Sequence, residues 1–190
     1  SNGYVGYTNT DSNNLLTVSN TGTLLVITNT LSVGNSGASN SLTISTGAIV
    51  ADSIGYLGNT TSSSNNSVVV TGTGSLWSNT GTLSVGFSSG NSLTISNGGT
   101  VFDPNGFLGN GSTTSNNSAV VTGTGSLWSN TGTLYVGLGA GSSLTISNGG
   151  KVFDFYGDLG GSTISSNNSA VITGGTAPRF LSVTTDLVIA

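Results

Sequence analysis

Cysteine, histidine and methionine are absent from this 190-residue chain, and lysine and arginine together number only 2. Each shortage closes a class of explanation. Without cysteine there is no disulfide staple, although that absence says little about compartment. The two cations, Lys151 and Arg179, leave little to hold a phosphate backbone or an anionic membrane surface. Nucleic acid is therefore not an expected partner. No apolar run approaches the ~18 residues of a membrane span, so membrane insertion by this segment is not expected. No signal peptide starts at Ser1; a targeting segment would have been removed or lie elsewhere.

What remains is mostly Gly, Ser, Thr and Asn. The 31 glycines are about twice the usual share. A flexible linker has this flavour, but 34% hydrophobic residues and a mean hydropathy of +0.18 do not suit a charge-rich disordered segment. The apolar residues also recur in fixed register.

Residues 115–154 read SNNSAVVTGTGSLWSNTGTLYVGLGAGSSLTISNGGKVFD, and 51 residues earlier the chain reads SNNSVVVTGTGSLWSNTGTLSVGFSSGNSLTISNGGTVFD. A period of this size is the mark of a repeat architecture. An apolar-Gly step recurs at Gly6, Gly34, Gly58, Gly86, Gly109, Gly137 and Gly160, with spacings of 28, 24, 28, 23, 28 and 23. Each long repeat therefore holds two related half-units. Residues 119–122 align with 144–147 at an offset of 25, and the same offset lays Leu127-Trp128-Ser129 on Val152-Phe153-Asp154.

Each half-unit carries three short apolar segments between polar turns. They are too short for helices. Their strict alternation, β-branched content and Asn-Gly turns indicate strands. Three strands in ~25 residues describe one coil of a β-solenoid, in which each inner side chain sits on its counterpart about 4.8 Å above. The expected fold is an all-β parallel β-solenoid (β-helix) of about seven coils of 23–28 residues. The chain reads as one domain of double-coil repeats, approximately 1–53, 54–104, 105–155 and a partial 156–190.

The expected inner columns are Leu16/Val18, Leu42/Ile44, Val68/Val70, Leu93/Ile95, Ala119/Val121, Leu144/Ile146 and Ala170/Ile172. Outward columns are Thr17, Thr43, Val69, Thr94, Val120, Thr145, Val171 and, two residues on, Ser19, Ser45, Thr71, Ser96, Thr122, Ser147, Thr173. Glycine at the corners fits a need for positive φ or for room beside the backbone. The pairs Asn13/Asn14, Asn65/Asn66, Asn116/Asn117 and Asn167/Asn168 suggest side-chain ladders or satisfaction of turn backbone groups. After Thr173 the pattern decays through Pro178 and Arg179, either as a terminal coil that blocks edge pairing or as degeneracy beside a further domain. With no polar capping helix visible, a fragment of something longer or an end-to-end stacking module is expected.

No catalytic, metal or cofactor constellation emerges. Asp52, Asp103 and Asp154 share one repeat position and read as solvated turn carboxylates about 10 Å apart, too far for a proton-sharing pair or a common calcium. Residues 154–158, with Asp154 and Asp158, form a candidate local cation site. A polysaccharide-cleaving enzyme wants acid-base pairs and cations or metal that this composition scarcely offers, so no enzymatic activity is expected. Trp77 and Trp128 are candidates for an aromatic stripe contacting sugars or surfaces, with Leu76 and Leu127 then inward; the alternative is corner packing or partial core. Tyr4, Tyr7, Tyr56, Phe107 and Tyr156 are expected around another corner. Thr43, Thr94 and Thr145 are candidates for a flat hydroxyl face that contacts ice or glycans, against a plain solvated surface.

The stretch GTGSLWSNTGTLYVG followed by SLTISNGGKV resembles the repeat of autotransporter (type V secretion) passenger regions and related bacterial surface proteins. Trp77 and Trp128, Asn79 and Asn130, Gly86 and Gly137, and the Gly pairs 98/99 and 149/150 carry the likeness. The first copy departs from it, with Leu25 at the Trp position and Thr46-Gly47-Ala48 for Asn-Gly-Gly, and the fourth lacks the Trp stretch. The resemblance implies a right-handed solenoid and a secreted or cell-surface stalk, fibre or adhesin. Copies of the same chain or surface glycans are the expected contacts.

Overall fold

The computed structural model describes residues 1–174, 180–183 and 187–189, the last two as backbone strands. Pro178, Arg179, Asp186 and Ala190 lie outside the described residues. The chain is a parallel β-solenoid of three sheets, with eight, seven and seven strands among the described residues. One coil runs through Thr82–Val85 in the first sheet, Ser92–Ser96 in the second and Thr100–Asp103 in the third. The next coil begins at Asn105. Each strand inside a sheet hydrogen-bonds to its counterparts in the coils on either side, and every pairing among the described residues is parallel. Among the described residues there is no helix.

The second sheet behaves as its sequence requires. Leu93 lies between Val68 and Ala119, and Ile95 between Val70 and Val121. All six side chains are fully buried, each contributing about 1.5–3 kcal/mol if aliphatic and large. The column loosens at the ends, where Leu16 is half-buried and Ile172 is 42% exposed.

In the third sheet the register differs from the expected one. Trp128 pairs with Val152 and Leu127 with Lys151, an offset of 24 rather than 25. The cause is the preceding corner. Four residues (123–126) turn it in the Trp-bearing coil, and three (148–150) in the next. A one-residue slip reverses every side chain of a strand. The inner column is therefore Leu25, Val50, Trp77, Val101, Trp128, Val152, while Ala51, Phe102 and Phe153 face out.

This column explains why the repeat is two coils long. In the first sheet the inner positions alternate Leu31, Gly55, Leu83, Gly106, Leu134, Gly157. A Cβ on Gly55 would lie 2.8 Å from the Trp77 ring, and one on Gly106 would lie 3.0 Å from the Trp128 ring. Each indole thus leans over a glycine about one turn of chain earlier. Counted from the third sheet into the first, a small turn (Val101, Asp103, Gly106) and a large turn (Trp128, Asn130, Leu134) fill one cross-section only as a pair.

The corner between the first and second sheets is held by an asparagine ladder. The backbone N–H groups of Asn14, Asn40, Asn66 and Asn91 donate to the side-chain Oδ1 of Asn40, Asn66, Asn91 and Asn117 in the next coil, at 3.0, 2.8, 2.9 and 2.9 Å. The first member of each Asn pair serves the turn itself. Asn13, Asn65, Asn116 and Asn167 adopt φ between 55° and 60°, the left-handed region that asparagine tolerates. Gly86, at φ 94°, has the Asn117 amide packed where its Cβ would be. The corner glycines thus serve both purposes expected of them.

Candidate functional site

Three faces and one interior column carry the candidate residues. The second sheet places Thr43, Thr94 and Thr145 on its outer side, in one column with Val69 and Val120. The neighbouring column partly satisfies itself: Ser96 Oγ donates to Thr71 Oγ1 and Ser147 Oγ to Thr122 Oγ1, both at 2.9 Å. Short hydroxyls and methyls thus form a regular grid, about 4.8 Å along the stack and about 6.6 Å along a strand.

The tryptophans are not on a surface. Trp77 and Trp128 are fully buried, and Leu76 and Leu127 are the half-exposed neighbours. The alternation that makes Trp inward also makes Phe102 and Phe153 outward, at 40% and 36% exposure. They share a column with Ser78 and Ser129, so the exposed aromatic positions of the third sheet stand two coils apart.

The aspartates at the common repeat position are not solvated either. Asp52, Asp103 and Asp154 are 5%, 2% and 4% exposed. Each is the last residue of its strand, two positions after an inward valine, which puts it on the inner face. Trp77 Nε1 donates to Asp52 Oδ2 and Trp128 Nε1 to Asp103 Oδ2, both at 2.7 Å. Asn79 and Asn130 occupy the next rung, in register with Asp52 and Asp103. Burial pushes the carboxyls of Asp52 and Asp103 up to about 7, against the indole hydrogen bonds that pull them down. Burial raises Asp154 to about 6, opposed by its own backbone. In the following coil the residue in register with Val152 is Leu181, where the earlier coils carry tryptophan.

The pattern was present in the sequence as Val-Phe-Asp against Trp-Ser-Asn, an i, i+2 pairing within each strand. It becomes legible once Trp is placed inward.

Residues 154–158 do not converge on a cation. Asp154 points inward, while Asp158 stands on the outer side of the first sheet beside Tyr135. Among the described residues no group of three or more potential metal ligands occurs. The tyrosines follow the first sheet rather than a corner: Tyr56, Phe107 and Tyr135 share an outer column, and Phe107 stacks on Tyr135 at 4.7 Å. Tyr7 packs on Tyr4 at 4.7 Å, and Tyr156 belongs to a different column, in register with Thr133. Among the described residues no helix is long and apolar enough to cross a membrane.

No protein-family model, curated protein or solved structure matches this chain.

Proposed function

We propose that this chain is a structural segment of a secreted or cell-surface bacterial protein: an extracellular rod, stalk or fibre that spaces, adheres or self-associates. The observation that carries this reading is the unbroken coil-on-coil stack, whose interior is given over to packing and whose outer faces are nearly free of charge. Its seven or so coils span about 30–35 Å. The likeness of the Trp-bearing stretch to autotransporter passenger repeats supports the same reading. Catalysis has no place in it.

The first coil supports end-to-end contact. The inward Leu16 and Leu25 are only half-buried there, and the strands of that coil pair on one side only. A further coil, of this chain or of another copy, would continue the sheets and cover these side chains. Electron microscopy across a range of protein concentrations tests this. Rods that lengthen with concentration support self-stacking, isolated short rods support a stalk segment, and compact particles of neither shape refute both.

A second reading, a glycan- or ice-binding module, is favoured by the hydroxyl grid around Thr43, Thr94 and Thr145 and by the exposed Phe102 and Phe153. Thermal hysteresis and glycan-array binding separate the two ligands. Trp77 and Trp128 have no part in it.

A further inference from the structure

The interior column holds an unresolved chemical conflict. Asp52 Oδ1 and Asp103 Oδ1 are buried without a hydrogen-bond partner, and so are Asn79 Oδ1 and Asn130 Oδ1 on the rungs above them. The other aspartate oxygen is already served by an indole N–H at 2.7 Å. As oriented, the unserved oxygens of the in-register residues Asp52 and Asn79 are both acceptors in a low-dielectric core, with no hydrogen between them to share. Rotating the Asn79 amide would bring N–H to the carboxylate but take it from Phe102 O, to which Nδ2 donates at 3.4 Å. Asn130 Nδ2 is also buried without a partner, so rotating that amide would serve Asp103 but leave Asn130 Oδ1 buried and unserved.

We propose that Asp52 and Asp103 are held in the folded rod as neutral carboxylic acids, each donating its O–H to the Asn Oδ1 of the next coil. The rod is therefore a proton-binding structure that tightens in acid and loosens toward alkaline pH.

The surroundings supply no competing charge. The strands packed about the column carry Tyr56, Tyr135, Asp158 and Lys151 on their outer faces. Among the described residues the only titratable groups facing the column from within are the aspartates themselves, with Asp154 one rung beyond Asn130. Among the described residues no cation that would favour the ionised form faces it. Burial raises both carboxyls from 3.8 to about 7. The folded state then binds more protons than the unfolded state between those values. Their contribution to stability is complete below about pH 4 and is lost as the pH rises through about 7.

Thermal unfolding and infrared spectra between about pH 4 and pH 9 test this, on the wild-type chain and on D52N/D103N, whose amides donate without titrating. The wild-type midpoint should fall by several degrees over that range, and the double variant should lose most of that fall. Asp154 and Asp158, also raised by burial, account for the remainder. The infrared spectrum of the folded wild type near pH 6 should show a carboxylic-acid C=O stretch that D52N/D103N diminishes. A wild-type midpoint independent of pH, a slope unchanged in the variant, or no acid C=O band near pH 6 would each overturn the proposal. The band requires only the wild-type protein, so a variant that does not fold leaves a decisive measurement. Stabilisation at pH 8 by calcium or potassium chloride, absent in D52N/D103N, would assign these oxygens to a metal ion and overturn it equally.

Discussion

Ser142 interrupts the asparagine ladder, and Ser142→Asn should mend it. In the coils before it, a backbone N–H at this corner donates to a side-chain oxygen one coil on, as Asn91 N does to Asn117 Oδ1 at 2.9 Å. Asn117 N should donate to residue 142 in the same way, but serine is shorter, and its buried Oγ has no partner. The ladder resumes above, where Ser142 N donates to Asn168 Oδ1 at 2.8 Å. Space exists for the longer side chain: Gly109 has no Cβ on that side, as Gly34 and Gly86 have none beside Asn66 and Asn117. An unserved buried N–H costs about 1–3 kcal/mol, and ordering the new side chain offsets part of the gain. The expected stabilisation is about 1–2 kcal/mol, or roughly 2–6 °C in Tm for a chain of this size. Urea unfolding measures the first, and amide hydrogen exchange at Asn117 reports whether the intended bond is the cause. A variant no more stable than wild type, with Asn117 exchanging at its old rate, would refute the view that the ladder is energetically continuous.

Other substitutions probe separate features. Trp128→Phe should cost about 2–4 kcal/mol at neutral pH, since it removes ring volume from a filled core and the donor to Asp103 Oδ2; chemical denaturation gives the value. The register of the third sheet is tested by a neighbouring pair: Phe102→Lys should change stability by no more than about 0.5–1 kcal/mol, whereas Val101→Lys, one residue away and fully buried, should prevent folding or cost more than about 4 kcal/mol. Equal effects would mean the offset of 24 is wrong. Gly86→Ala should lose at least about 1–2 kcal/mol, because its φ of 94° is strained for alanine and the added methyl meets the Asn117 amide; urea unfolding measures the loss.

The repeat period, the three strands per coil and the inner residues of the second sheet were all legible in the sequence. In that sheet Leu-Thr-Ile alternates unambiguously, and consecutive strands keep offsets of 25 or 26 residues. A strict period of two leaves one orientation once a core must be buried. The Asn pairs and corner glycines were also marked by their recurrence, although Asn40 and Asn91, unpaired in sequence, show their ladder role only in three dimensions.

The third sheet was decided by tertiary structure. Its strands are short and bear large apolar groups on both sides, Leu127 beside Trp128 and Val152 beside Phe153, so alternation alone allows either face inward. The choice depends on one residue at a corner and on what lies across the core. Glycines at 55 and 106 leave room for an indole, and buried carboxylates at 52 and 103 receive its N–H. Those partners lie about 22 to 25 residues away in the chain, about one turn of the solenoid, a contact that no local pattern of hydrophobicity encodes.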